Sequence, residues 1–119
     1  MKKTVVFDFD GVIHSYTSGW KGVDAIPDPP VPGIKEAIDQ IRKEYNVIIV
    51  STRCGCEEGM AAVNEWLKKY GIEVDGLRKE KPPAVCYVDD RAICFDGDAE
   101  TLINKIARFV PWYKKEVKK

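Results

Sequence analysis

Three apolar runs, Thr4–Phe9, Val47–Val50 and Ala84–Val88, are too short for helices that bury a face, and their β-branched and aromatic residues mark them as strands. Thr4–Phe9, nearly all apolar, lacks the polar alternation of a half-exposed strand and is the kind of run that sits in a central parallel strand covered on both faces. Each also ends abruptly in polar chemistry: Asp8 and Asp10 with Gly11, then Ser51-Thr52-Arg53, then Asp89-Asp90. Between the first two runs the period changes to that of a helix. Ile34, Ala37, Ile38 and Ile41 after Pro32-Gly33 share one side, and Lys35, Glu36, Asp39 and Arg42 take the other. Glu57 to Tyr70 repeats the helical spacing, with Gly71 as its left-handed cap. Alternating strands and helices imply right-handed βαβ units, so the expected class is α/β with helices on both faces of a mainly parallel sheet. In such sheets ligands bind beyond the carboxyl ends of the strands, which is where Asp8, Asp10, Ser51, Asp89 and Asp90 fall.

The remaining segments complete the expectation. Ile72–Leu77 reads as a third short strand, Ala92–Phe95 as an edge strand, and Ala99–Phe109 as a helix with Leu102, Ile103, Ile106 and Phe109 inward. Residues 110–119 form a tail, frayed over Lys114–Lys119. Residues 11–32 hold four of the seven prolines and no sustained period; with Val12, Ile13, Tyr16 and Trp20 they read as a lid, with a hairpin around Ser18-Gly19.

At 119 residues the chain is expected to form one domain, 1–119, with a core that needs no disulfide staples. Nineteen basic residues balance nineteen acidic ones, which argues against general binding to nucleic acid or an anionic membrane. No apolar stretch approaches the roughly 18 residues of a membrane span, and Met1-Lys2-Lys3 does not open a signal peptide. Cys54, Cys56, Cys86 and Cys94 match no zinc spacing and read as reduced packing thiols, consistent with the cytoplasm. His14, the sole histidine, reads as incidental or, with Trp20, as part of a rim; Trp112 and Tyr113 read as aromatics docked on the core.

If the strand geometry persists to Asp10, the side chains of Asp8 and Asp10 point to one side. Asp89 and Asp90 add two more carboxylates, a crowd that requires retained protons or a cation. Oxygen-only ligands suit Mg2+, which completes its shell with water and substrate phosphate. Ser51 can donate to a phosphate oxygen, and Lys81 can supply positive charge. Asp8 suits attack on phosphorus to form an aspartyl-phosphate, and Asp10 suits protonation of the leaving group and activation of water.

In order along the chain, Phe7-Asp8-Phe9-Asp10-Gly11-Val12, Ser51, Lys81 and Asp89-Asp90 resemble the four motifs of the haloacid dehalogenase superfamily of phosphohydrolases, over residues 4 to 96. The resemblance implies a Rossmann-like three-layer α/β/α sandwich, Mg2+, Asp8 as nucleophile, Asp10 as acid/base and Lys81 as the third-motif lysine, with Lys79 its rival. Mg2+ would be held by the Asp8 carboxylate, the Asp10 backbone carbonyl and a fourth-motif acid. Position favours Asp90 as that acid, with Asp89 assisting. Substrate contacts fall to Gly11, Ser51, Thr52 and Arg53, and Arg53 is expected at the leaving group. The short intervals after the first two motifs imply a capless member, whose open site serves a large or extended phosphorylated substrate or is covered by a second copy. The expected function is a phosphomonoesterase. A phosphotransferase, a polynucleotide-end phosphatase and a non-catalytic phosphate or metal sensor are the rivals.

Overall fold

In the computed structural model, which describes residues 2–114, β1 (Lys3–Asp8), β2 (Tyr45–Val50), β3 (Gly76–Arg78) and β4 (Cys86–Val88) form one sheet in the order β3-β2-β1-β4. Every strand pair is parallel. Helix α1 (Ile34–Arg42) joins β1 to β2, a 3-10 turn (Thr52–Gly55) and α2 (Glu57–Tyr70) join β2 to β3, and α3 (Leu102–Ala107) follows β4. The class is α/β, as the alternating periods require, with the parallel sheet and helices of a Rossmann-like sandwich.

Alternation along the strands places Val5 and Phe7 of β1 and Val47 and Ile49 of β2 on one face. They form a single buried cluster with Ile38 of α1 and Val63, Trp66 and Leu67 of α2, so both helices cover that face. Fully burying a side chain of this size contributes about 1.5–3 kcal/mol, and the cluster anchors the central strands whose ends carry the acids. Helix α2 approaches the turn before it so closely that a Cβ at Gly59 would strike the Arg53 carbonyl. Its first turn carries Glu57 and Glu58 and its last Lys68 and Lys69, matching the helix dipole at both ends.

Several boundaries differ from the sequence expectation, each for a local reason. Gly71 adopts φ 69°, its N–H bonds to the Lys68 carbonyl at 3.1 Å, and the Ile72 N–H bonds to the Leu67 carbonyl at 2.9 Å. That pairing is a Schellman cap; it takes up Ile72 and buries it against the core, so β3 begins only at Gly76. Asp96 and Asp98 accept hydrogen bonds from the backbone N–H groups of Asp98 and Glu100. Such local bonds compete with regular structure, and among the described residues no strand forms at 92–95 and α3 starts at Leu102 rather than Ala99. Ile103 and Ile106, expected inward, are 70% and 57% exposed. Of the four thiols only Cys54 is buried, so Cys56, Cys86 and Cys94 do not pack in the core. No helix among the described residues is long and apolar enough to cross a membrane. Of the tail expected to fray over Lys114–Lys119, Lys114 closes a 3-10 turn (Trp112–Lys114) and 115–119 lie outside the described residues.

Candidate functional site

Parallel register brings the strand ends together before any side chain is considered. Phe7 pairs with Val88, so Asp8 at the end of β1 stands beside Asp89, and Asp8 itself pairs with Val50, which precedes Ser51. Carboxylate oxygens of Asp8, Asp89 and Asp90 all fall within 4.8 Å of one another. A cleft of about 330 Å³ opens in front of them, lined also by Asp10, Ser51 and Thr52.

This crowding has an electrostatic cost. Burial, a side-chain hydrogen bond with Asp90 and the charges of Asp89 and Asp90 push Asp8 up to about 8. At neutral pH Asp8 therefore keeps a proton unless a cation replaces it. Asp89 is held below the ordinary carboxylate value: burial opposes this, but the Arg91 N–H and Lys81 outweigh it. Lys81 Nζ is 3.4 Å from Asp89 Oδ2, so the lysine favoured from sequence reaches the acidic group, whereas Lys79 makes no ion pair among the described residues. Three oxygen donors and an Asp8 that needs a counter-charge fit a hard divalent cation. Among the described residues, Asp8, Asp89 and Asp90 are the cluster that could hold one.

Asp10 does not join them, because the strand ends one residue after Phe7. The Phe9 carbonyl accepts N–H bonds from Val12, Ile13 and His14 at 3.3, 2.9 and 3.0 Å, curling the chain through Gly11 at φ 86°. A Cβ on Gly11 would collide with the Asp90 carboxylate and the Tyr113 ring, so glycine here is required by conformation and by space. Gly11 thus shapes the acidic centre from behind. Beyond the curl, Asp10 Oδ1 meets His14 Nδ1 at 2.8 Å and Oδ2 accepts from Arg53 Nε at 2.9 Å. Burial would raise the Asp10 pKa, but these two hydrogen bonds and the charge of Arg53 hold it below the ordinary value. Strand geometry thus stops at Asp8 rather than persisting to Asp10; the two aspartates still line one cleft but answer to different partners.

His14 is neither incidental nor on a rim. It is fully buried, stacked on Phe9 with ring centroids 5.7 Å apart, and its Nε2 accepts the Asp28 N–H at 3.1 Å. An accepting Nε2 leaves the proton on Nδ1, so His14 donates to Asp10. Asp28 in turn accepts from the Ser18 hydroxyl at 2.6 Å and from the Ser18 N–H at 2.8 Å.

Arg53 is also corrected, from a leaving-group contact to a buried hub. It is 0% exposed, and besides Asp10 its Nη1 donates to the carbonyls of Gly22, Val23 and Ala25 at 2.9, 2.8 and 3.3 Å. The guanidinium lies 4.5 Å from the Trp20 ring centroid, while Nη2 has no hydrogen-bond partner. Segment 11–32 is therefore pinned to the sheet rather than free as a lid. Its base is closed by Ser15 N–H to the Pro29 carbonyl and Val31 N–H to the Ile13 carbonyl, and no strand hairpin forms at Ser18-Gly19.

Ser51 is buried at the end of β2; its Oγ accepts the Arg53 N–H at 3.1 Å, leaving the hydroxyl proton to donate. Thr52 lines the cleft and is exposed. Four further residues, Tyr16, Trp20, Arg91 and Tyr113, wall the cleft. Of these, Arg91 and Tyr113 carried no sequence signal as site residues. The Tyr113 hydroxyl donates to Asp90 Oδ2 at 2.6 Å, and Trp112 Nε1 donates to the Gly11 carbonyl at 2.6 Å. Trp112 and Tyr113 do not dock on the core as expected: Trp112 is 46% exposed, and both sit against the acidic centre instead.

No family model matches the chain, and neither does any curated protein. Among solved structures the chain is similar to a conserved protein coded by a locus of Bacteroides thetaiotaomicron, at 22% identity and a TM-score of 0.60, over 90% of this chain and 91% of that one. The likeness extends to the fold.

Proposed function

We propose that this chain is a capless, Mg2+-dependent phosphomonoesterase of the haloacid dehalogenase kind, acting through a phosphorylated Asp8. The observation that carries the reading is the meeting of Asp8, Asp89 and Asp90 within 4.8 Å at the ends of neighbouring strands, with Ser51 beside them. Asp8 and Asp90, with Asp89 assisting, would hold Mg2+, and the Asp10 backbone carbonyl would complete the protein's share. When bound, Mg2+ supplies the positive charge that keeps Asp8 ionised and offsets charge on the phosphoryl oxygens.

The chain's own residues account for the rest. A carboxylate oxygen of Asp8 bonds to phosphorus as the ester P–O bond breaks and the leaving oxygen departs with the electron pair. The Ser51 hydroxyl donates to a phosphoryl oxygen, and Lys81 balances the charge around Asp89. Water then attacks phosphorus, the Asp8–phosphorus bond breaks, and Asp10 takes the water's proton. Hydrogen bonds from His14 and Arg53 suit Asp10 to that second, basic task. They oppose its holding a proton in the first, so esters with weakly basic leaving groups should turn over fastest. Substrates are phosphorylated molecules rather than membranes or nucleic acid in bulk, the compartment is the cytoplasm, and a second copy would close the open cleft.

The test is hydrolysis of a panel of phosphomonoesters with Mg2+ and with a chelator. Turnover should require the metal, and Asp8→Asn should lower it by roughly 10⁴-fold or more while leaving the circular dichroism spectrum unchanged. Unaltered turnover in Asp8→Asn removes Asp8 as nucleophile.

A further inference from the structure

Beyond the acidic centre the cleft continues into a second cavity of about 350 Å³, and the two share Tyr16, Trp20, Arg91 and Tyr113. The shared residues are three aromatic rings and one cation. Tyr16 is the sole non-glycine residue with a positive φ among the described residues, at 63°. That backbone costs on the order of 1 kcal/mol for a bulky side chain and persists only where the surroundings enforce it. Here they do: its ring packs edge-to-face on Tyr113 at 5.5 Å and on His14 at 5.9 Å. Trp20 is 51% exposed yet sits on the guanidinium of Arg53, itself locked to Asp10 and three backbone carbonyls. An exposed indole on a rigid base is a preorganised surface, since a ring docking on it need not first order the side chain. Arg91 forms no ion pair among the described residues; its Nε lies 3.4 Å from the Tyr113 hydroxyl, and Lys114 stands further along the same trough.

We propose that this trough is a leaving-group subsite for a phosphomonoester that carries a planar aromatic ring and a second anionic group, as a nucleoside bisphosphate does. The ring seats against Trp20 and Tyr16, and the second anion lies toward Arg91 and Lys114. The inference names the substrate class for the phosphatase reading above and rests on it for the position of the reacting phosphate. The neutral chain as a whole lacks the broad positive field of a polynucleotide binder, so the cations act at one spot rather than along a strand.

The experiment separates binding from turnover. Affinity is measured by calorimetry with Asp8→Asn in Mg2+ for adenosine 3′,5′-bisphosphate, adenosine 5′-monophosphate and glycerol 3-phosphate, and kcat/KM is measured on the same three with the unaltered chain. We expect the bisphosphate to bind at least about tenfold more tightly than glycerol 3-phosphate, in line with base-on-aromatic stacking, with the monophosphate between them. Trp20→Ala should collapse the ring preference, Trp20→Phe should retain part of it, and Arg91→Gln should erase the gap between bisphosphate and monophosphate. Equal affinity for ringed and ringless phosphates, or a ring preference untouched in both Trp20 variants, overturns the subsite. Efficient but undiscriminating hydrolysis would reject the subsite and keep the phosphatase. Selective binding without any turnover would keep the subsite and reject the phosphatase.

Discussion

Replacing Arg53 by methionine keeps a long apolar stem in the core and deletes a guanidinium that has no access to water. Breaking one side of a buried ion pair costs about 3–5 kcal/mol, because the partner's charge stays behind. Asp10 keeps its His14 hydrogen bond and is 18% exposed, which points to the low end, near 3 kcal/mol. The carbonyls of Gly22, Val23 and Ala25 lose the donor they share, and a buried group left unpaired adds about 1–3 kcal/mol. The expected loss is roughly 4–6 kcal/mol, a large part of the about 5–15 kcal/mol that holds a typical domain together. Urea unfolding followed by tryptophan fluorescence and by far-ultraviolet circular dichroism reads this directly. The double variant Arg53→Met/Asp10→Asn should be less damaged than the sum of its parts by about 1.5–3 kcal/mol, since the orphaned charge is gone. The pH dependence follows from the lowered Asp10 pKa. Its contribution is complete above the unfolded value near 4 and is lost as pH falls through the lower folded value, so wild type and Arg53→Met should converge in acid. A loss under about 1 kcal/mol, or strict additivity in the double variant, would refute the hub.

Asp8 has the opposite sign. With a folded pKa of about 8, the native state holds a proton that the unfolded chain has released, so metal-free stability should fall as pH rises from about 4 to about 8. Tm in a chelator should therefore be lower at pH 8 than at pH 5; Mg2+ should restore it and Asp8→Asn should flatten the slope. A metal-free wild-type Tm that is level across this range contradicts the proposed crowding. Gly11→Ala forces a Cβ at φ 86° into Asp90 and Tyr113, with an expected cost of about 1–3 kcal/mol and weaker Mg2+ binding. Calorimetric Mg2+ affinity equal to wild type would show that Asp90 does not depend on this packing.

The layered α/β plan was legible because it rests on periodicity. Thr4–Phe9 and Val47–Val50 are nearly all apolar without alternation and form the two central strands, whereas the equally apolar β4 lies exposed at the sheet edge. The acids at the strand tips were legible for a related reason, since polarity changes where a buried strand meets solvent at the sheet's carboxyl edge. The C-terminal helix was misread because exposed Ile103 and Ile106 have the spacing of a buried stripe, and period does not reveal whether a partner layer exists.

What the sequence determined by itself was a set of local preferences: strand, helix, cap, and which oxygens gather at one end of a parallel sheet. Which of those oxygens act together was decided by the tertiary structure. The curl at Phe9 and Gly11 separates Asp10 from Asp8 and hands it to His14 and Arg53, 4 and 43 residues away. The same packing sets Tyr113 on Asp90 across 23 residues and Trp112 on Gly11 across 101. Hydrogen bonds and charges act over a few ångströms of space rather than along the chain, so a carboxylate's partners, and with them its proton, are settled only when the fold closes around it.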